Sequence, residues 1–257
     1  MEYKFHSQYL REFINEITYH NRNPRDIKAL ELMDDISTNP EILLSEKDIL
    51  YRSRIIRRIK DINKVKNFYG FDEEQSFVPP KEKTCDMRAN YRYIPYLYCT
   101  NHPYLSLVEI RPRLSSLVSI ATISVNEKLS LLDFTNSNKP SKMTKAKEHF
   151  FSDLSYMFSK PISDEDDTKD YIPTQFIAEY AKNLGYDGIV YRSSLVPEIN
   201  SAGLNRYNIV IFNYLKCAAI KSNVIQITNN YFDGEQVDDD THKLAVSSYV
   251  VEMISQL

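Results

Sequence analysis

The sequence predicts an α+β protein, because three features of its 257 residues indicate strands and helices around one core. Apolar residues make up 42 % of the chain and charged residues 26 %, so a sizeable core is expected. Short alternating runs rich in β-branched and aromatic residues indicate strands, and amphipathic stretches between them indicate helices. The two kinds do not follow a strict βαβ order, which favours α+β over a doubly wound sheet.

The front of the chain, residues 1–45, is predicted to be an accessory helical segment. Ser7 can cap a first helix, and a second helix is predicted near 24–36. The apolar residues of the first helix recur at helical spacing: Leu10, Phe13, Ile14 and Ile17. Both helices are short and amphipathic, so each must pack on another part of the protein.

The centre of the chain, residues 46–222, is predicted to be the main domain. Its strands are expected at 49–56, 96–100, 117–124, 129–134, 189–191 and 208–212, and its helices at about 145–158 and 173–184. Residues 163–170 are predicted to form an acidic, solvated loop. The remaining extension, residues 223–257, combines a strand-like piece, an acidic stretch and a final amphipathic helix.

Composition and missing motifs exclude several classes of function. The net charge of −3 provides no general attraction to nucleic acid or to an anionic membrane. The chain shows no signal peptide and no apolar run long enough to span a bilayer, and its three cysteines are widely spaced. We therefore expect a cytoplasmic protein with no metal site and no disulfide. No glycine-rich phosphate-binding motif is present either.

Glu109 stands out because it is a carboxylate within the apolar stretch "YLYCTNHPYLSLVEIRP" at 96–112. Helical spacing puts it on one face with Leu105 and Val108, the face expected to point inward. An unpaired charge is costly to bury. Glu109 therefore either has an internal ion-pair partner or faces a cleft and takes part in chemistry there.

Three further blocks carry polar groups that suit the same cleft. "LYRSRIIRRIK" places Arg52 and Arg54 on one strand face, and "CDMRANYRYIPYLYCT" provides basic, amide and tyrosine side chains. "LGYDGIVYRSSLV" leaves Ser193 and Ser194 at the end of a strand, after a turn marked by Gly185 and Gly188. Each block also has a simpler interpretation, as a basic surface stripe, core tyrosines or a serine turn.

Taken in order, these blocks resemble the RES-domain family, which is named for an arginine, a glutamate and a serine. The resemblance spans about 49–213 and rests on "YRSR", "PP" at 79–80, "RAN", "IPYLYCT", "LVEIRP", "YIPTQFIAEYAKNLGYDGIVYRSS" and "NIVIF". The chain departs from the family at two positions. Met87 and Tyr93 stand where the family usually has glycine, so the loop between them is expected to differ in shape.

The resemblance implies a bent β-sheet core like that of ADP-ribosyltransferases, with flanking helices and the N-terminal helical segment. It implies an enzyme that acts on NAD+ as substrate, holds no permanent cofactor and belongs to a toxin–antitoxin or defence system. It leaves open an NAD+ phosphorylase using inorganic phosphate, a glycohydrolase, or a mono-ADP-ribosyltransferase modifying a protein.

The resemblance also implies roles for six residues. Glu109, Arg52 and Ser193 are the expected catalytic group, with Glu109 stabilising the cation that develops on the ribose. The residues expected to bind NAD+ are Arg52, Arg88, Tyr98, Ser193 and Asn208. The two arginines would hold the pyrophosphate, because a guanidinium binds such an anion through two hydrogen bonds. The ring of Tyr98 would lie against a base.

Partners follow from the same resemblance, and two other classes of protein stay open. A toxin of this family is expected to bind a cognate antitoxin that carries a helix-turn-helix domain, and it can form a homodimer. Direct contact with nucleic acid or membrane is not expected. The first alternative is a nucleic-acid binder acting through "RSRIIRRIK", and the second is a catalytically silent RES-like binding module.

Overall fold

The computed structural model describes residues 4–57, 70–160, 168–196 and 206–229, which form an eight-stranded mixed sheet with helices packed against it. The predicted α+β class is therefore confirmed. The helices are α1 (Gln8–Tyr19), α2 (Lys28–Asp34), α3 (Glu73–Ser76), α4 (Pro103–Glu109), α5 (Lys145–Ser159) and α6 (Ile172–Asn183). The strands are β1 (Glu41–Leu44), β2 (Ile49–Ile56), β3 (Leu97–Thr100), β4 (Leu117–Val125), β5 (Leu129–Asp133), β6 (Gly188–Arg192), β7 (Tyr207–Ile211) and β8 (Cys217–Gln226).

The order of strands across the sheet is β1-β5-β6-β7-β3-β2-β4-β8. The pair β5–β6 is parallel and the other neighbouring strands are antiparallel. Strand β7, which comes late in the chain, therefore lies in the middle of the sheet. It joins the group β1-β5-β6 to the group β3-β2-β4-β8.

Most predicted elements of the main domain match observed ones within one residue at each end. Two predictions about the flanks are wrong. Residues 41–44 form a strand rather than part of a helical segment, and β8 begins at Cys217 rather than near 223. In β1 only Leu44 is buried, so its main-chain pairing with β5, rather than its side-chain pattern, fixes it as a strand. The predicted C-terminal helix, most of the acidic loop, Arg58 and Lys60 lie outside the described residues.

The N-terminal helices pack into the main core. The hydroxyl oxygen of Ser7 accepts a hydrogen bond from the Leu10 N–H at 3.3 Å, which is the predicted helix cap. Phe13 is fully buried in the same apolar cluster as Ala178 and Ala181 of α6. Residues 1–45 as a separate accessory unit remain a prediction, but α1 shares its buried face with the domain behind it.

The two faces of the sheet differ, and alternation along each strand decides which face a side chain occupies. Tyr51, Thr100, Asn208 and Tyr191 are successive cross-strand neighbours and so share one face, which we call the cavity face. Helices α1, α2, α5 and α6 cover part of it through one large apolar cluster. The opposite face, the far face, carries a second cluster that includes Leu50, Cys99 and Ile209.

Two glycines shape the approach to β6, as the sequence predicted. Gly185 has a φ of +96°, a conformation that side chains rarely adopt. A Cβ at Gly188 would lie 2.3 Å from the carbonyl oxygen of Val210, so only glycine allows β6 and β7 to approach this closely. The turn and the close pairing place the end of β6 beside the start of β7.

Within the described ranges, none of the helices has both the length and the apolar character needed to cross a membrane.

Candidate active site

A polar cavity of about 320 Å³ opens on the cavity face, between the ends of α4, α5, β6 and β7. Four of the six predicted site residues line it, namely Arg88, Glu109, Ser193 and Asn208. Its other walls come from Arg111, Phe158, Ser159, Tyr171, Tyr191, Arg192, Ser194 and Leu195. The sequence blocks around these four residues therefore do meet in space.

Glu109 is the last residue of α4, and its carboxylate is held by an amide. The Asn208 side-chain N–H donates to Oε1 of Glu109 at 2.7 Å. In the described part of the chain no cation forms an ion pair with Glu109. The side chain is half-buried at the cavity wall. The geometry therefore favours the cleft over the internal ion pair as the reason for a carboxylate at this point.

Helix α4 is fixed at both ends, which sets the position of Glu109. His102 caps its start by accepting from the Tyr104 N–H at 3.2 Å, and Pro103 occupies the first turn. Along its length Leu105 is fully buried. The hydroxyls of Ser53 and Ser106 lie 2.6 Å apart, which ties the helix to β2. A short helix held in this way presents its last side chain in a defined place.

Tyr191 forms the floor of the cavity beside Asn208, its cross-strand partner. Burial raises the pKa of Tyr191 well above its ordinary value, the nearby Arg88 guanidinium opposes this, and the Glu109 carboxylate adds to it. The phenol therefore keeps its proton at neutral pH. It offers the cavity a hydrogen-bond donor rather than a negative charge.

Ser193 follows β6 directly and lines the cavity as predicted. Its hydroxyl oxygen accepts a hydrogen bond from the Leu195 N–H at 3.0 Å, so the side chain also supports the local turn. The hydroxyl proton stays available to a ligand. Both interpretations of the serine, turn and site, therefore apply to the same residue.

Arg88 lines the cavity, but most of its guanidinium is already engaged by the end of α5. Nη1 donates to the carbonyl of Met157 at 2.8 Å and to that of Phe158, and Nη2 donates to that of Lys160. A cation in this place also offsets the partial negative charge of a helix C-terminus. Arg88 thus fixes one wall of the cavity and has few N–H groups left for an anion.

Tyr98 does not line the cavity. Its hydroxyl donates to Oδ1 of Asn90 at 2.8 Å and accepts from the Ala89 N–H at 3.0 Å. Burial raises its pKa well above the ordinary value for tyrosine. Tyr98 therefore holds the loop that carries Arg88 in place, and the structure does not bring its ring to the cavity where a base would stack.

Arg52 lies on the far face of the sheet. Its neighbour Tyr51 is on the cavity face, so alternation turns Arg52 the other way, and Nη1 donates to the Ser76 carbonyl at 2.8 Å. Burial, followed by repulsion from Arg54, lowers the pKa of Arg52 to about 10. The structure therefore does not bring Arg52 into one cleft with Glu109 and Ser193. The expectation that all three share a site is not met.

The loop that departs from the family pattern keeps a backbone typical of glycine. Tyr93 has a φ of +70°, in the left-handed region, although it carries a side chain. Gln175 binds the same loop by donating to the carbonyls of Met87 and Asn90 at 2.9 Å. The loop thus accommodates Tyr93 in a glycine-like conformation at the cost of local strain.

Sequence reasoning missed six polar or aromatic wall residues: Arg111, Phe158, Ser159, Tyr171, Tyr191 and Arg192. Two signals could have found some of them. Tyr191 lies in β6, two residues before Ser193, and Arg111 lies two residues after Glu109. Ser159 also carries a buried hydroxyl that has no hydrogen-bond partner among the residues that the structure describes. Such a group is expected to bind a ligand or water.

No group of three or more histidine, cysteine, aspartate or glutamate side chains that could hold a metal ion occurs in the part of the chain that the structure describes.

Comparison with known proteins identifies a family and a similar solved structure. The RES domain family matches residues 56–233, more than half of the chain. The matched region begins after Arg52. The crystal structure of the M. tuberculosis MbcT–MbcA toxin–antitoxin complex is similar with a TM-score of 0.43 and 13 % identity, over 77 % of this chain and 92 % of that one. A search of curated proteins returned no match.

Proposed function

The chain belongs to the RES-domain family, and from that membership we propose that it cleaves the bond between nicotinamide and ribose in NAD+. In this proposal inorganic phosphate takes the ADP-ribosyl group, so the enzyme is an NAD+ phosphorylase. Hydrolysis by water is the closest variant. The observation that carries the proposal is the half-buried Glu109 carboxylate, held by a neutral amide inside a polar cavity rather than by a cation.

The chemistry of the bond explains why one carboxylate is enough. The electron pair of the breaking C–N bond returns to the positively charged nicotinamide ring, which leaves neutral and needs no proton. Positive charge develops on the ribose, as in glycoside cleavage. A carboxylate fixed beside that charge stabilises the transition state more than the ground state. A phosphate oxygen then bonds to the same ribose carbon.

The other wall residues have supporting roles in this proposal. Asn208 orients the Glu109 carboxylate, and Ser193 and Ser159 supply hydroxyls for the ribose or its attacking partner. Tyr171 and Tyr191 provide rings against which the nicotinamide can lie. At about 320 Å³ the cavity is small for a whole dinucleotide. It encloses one end of NAD+, with the remainder at its mouth.

Two of the predicted binding roles find no support in the geometry. Arg52 faces away from the cavity, and Tyr98 lies beneath the Arg88 loop. The pyrophosphate must therefore depend on other cations than the predicted pair, since Arg88 is largely bound to α5.

Incubating the protein with NAD+, with and without phosphate, tests the proposal directly. Phosphorolysis gives nicotinamide and a phosphorylated ADP-ribose by mass, and only when phosphate is present. ADP-ribose formed without phosphate would identify a glycohydrolase, and label attached to protein would identify a transferase. Stabilisation by NAD+ in a melting experiment without any turnover would support the silent binding module and contradict the proposed activity.

Biologically, we propose that the protein acts as a toxin held in check by an antitoxin that covers the cavity. The support is membership of the RES-domain family together with the open position of the cavity. The partner would be encoded beside it, and a homodimer is a further expectation of the same family. If a neighbour-encoded protein copurifies and NAD+ turnover is unchanged in the complex, the antitoxin does not act by covering the cavity.

A further inference from the structure

Arg111 has an unusual backbone for an arginine. It lies two residues after Glu109, directly beyond α4, and its φ is +45°. Its N–H donates to the Val108 carbonyl at 3.0 Å, which closes the end of the helix. Glycine is the usual residue at this position, because a side chain is strained there. Backbone strain of this kind is common at functional sites, so the Arg111 side chain at the edge of the cavity is a candidate for one.

Arg111 differs in its contacts from the other arginines of the cavity wall. The cavity wall contains three arginines, of which Arg88 is bound to the carbonyls of α5 and Arg192 contacts the Ser137 hydroxyl at 3.5 Å. The side chain of Arg111 forms no hydrogen bond or ion pair with any residue of the described ranges. It is exposed at the cavity mouth, so its guanidinium is available to a ligand.

We propose that Arg111 binds a phosphate group of the ligand at the mouth of the cavity. A guanidinium matches phosphate oxygens through two parallel hydrogen bonds and keeps its charge at any working pH. The proposal deepens the NAD+ activity proposed above and rests on it for the identity of the ligand. That phosphate is either part of the dinucleotide pyrophosphate or the inorganic phosphate that attacks the ribose.

A simpler role for Arg111 is to offset the negative end of the α4 dipole. The two roles predict different effects on binding when it is replaced by glycine. If Arg111 serves only the helix end, Arg111→Gly changes the Tm, through the lost charge and the relieved backbone strain, but leaves phosphate binding unchanged. If its side chain binds a ligand, Arg111→Gly weakens phosphate binding whatever the net change in Tm.

The test titrates three probes, NAD+, pyrophosphate and inorganic phosphate, into the wild type and three variants. Arg111→Gly removes charge and strain, and Arg111→Ala removes charge alone. Arg113→Ala is the matched control, because Arg113 is equally exposed but does not line the cavity. We expect both Arg111 variants to bind at least one phosphate probe about tenfold more weakly, and Arg113→Ala to bind as the wild type does.

The probes also separate the two sources of phosphate. Weaker binding of NAD+ and pyrophosphate with unchanged binding of inorganic phosphate assigns Arg111 to the dinucleotide. The reverse pattern, with a raised KM for phosphate, assigns it to the attacking phosphate. Unchanged binding of all three probes overturns the proposal, whichever way the Tm moves. If the wild type does not consume NAD+, the activity proposed above fails, while the two inorganic probes still decide the role of Arg111.

Discussion

The two faces of the sheet use arginine in opposite ways. On the far face, Arg52 and Arg54 meet the carbonyls of Ser76 and Gln75 at α3, and no described acidic residue pairs with Arg52. On the cavity face, Arg88 binds carbonyls at the end of α5, whereas the Arg111 side chain at the cavity mouth binds no group of the described residues. An arginine whose N–H groups donate to main-chain carbonyl oxygens supports the fold. An arginine whose N–H groups have no such acceptor is available to a ligand.

Residue type alone therefore does not locate a site. Arg52 and Tyr51 are neighbours in sequence, yet alternation sends their side chains to opposite faces. The substitutions below test the comparison, because each side should respond in its own way. Changes on the cavity face should alter turnover or binding, and changes on the far face should alter stability.

Glu109→Gln should have the largest effect on turnover. It keeps the hydrogen-bonding shape but removes the charge, so nicotinamide release should fall by about 10²-fold or more. NAD+ affinity, measured by calorimetry, should change far less, since the ground state lacks the ribose cation. Glu127→Gln, on an exposed turn, is the control. A Gln variant that melts early yet turns over normally would show that Glu109 is only structural.

Asn208→Ala should lower turnover by less. It removes the N–H that holds Oε1 of Glu109 at 2.7 Å, so the carboxylate loses its orientation. We expect kcat to fall about tenfold, with a smaller change in KM, because placement rather than charge is lost. The exposed Asn213→Ala is the matched control. If kcat is unchanged in a variant that remains folded, Asn208 does not position the catalytic group.

Arg52→Ala should act on stability alone. It removes a charge-assisted hydrogen bond to the Ser76 carbonyl, which is expected to cost about 2 kcal/mol in the free energy of unfolding. Denaturant unfolding measures that loss, and NAD+ titration should give the wild-type Kd. Arg113→Ala, at an exposed position that does not line the cavity, is the control. Weaker NAD+ binding with unchanged stability would show that Arg52 takes part in the site. The two faces would then not use arginine in opposite ways.

Tyr93→Gly should have the smallest effect. Glycine adopts the observed φ of +70° without strain, so the variant should gain about 1 kcal/mol or less in stability. Turnover should not change, because Tyr93 does not line the cavity. Tyr93→Ala removes the ring and keeps the strain, so it should not share the gain. If Tyr93→Gly loses activity, the exposed ring contributes to the site after all.

The sequence predicted much of the fold because local patterns specify it. Alternating runs marked β2 to β7 closely, and the helical spacing of Leu10, Phe13 and Ile17 marked α1. Strand β1 was not predicted, because its pairing with β5, rather than its own side chains, makes it a strand. Glu109, at the end of a helix, and Ser193, just after a strand, were picked out from the same kind of local pattern, and both line the cavity.

What the sequence could not provide was the assembly of distant groups. Arg88 carries the right chemistry, but only the fold reveals that the end of α5 engages its N–H groups. Tyr98 has the right ring, but its hydroxyl holds the Ala89–Asn90 loop. The place of Arg111 two residues after Glu109 was a weak signal, because the role proposed for it rests on a backbone angle and on the absence of described side-chain partners.

The central place of β7 has a consequence for synthesis of the protein. Ribosomes deliver the chain from its N-terminus, and β7 begins at Tyr207, long after its two neighbours β3 and β6 have emerged. Until then Glu109 and Ser193 belong to separate halves of an unjoined sheet, and Asn208 has not yet been made. The nascent chain therefore cannot assemble its cavity early. The cavity is complete only after the ribosome has passed Asn208.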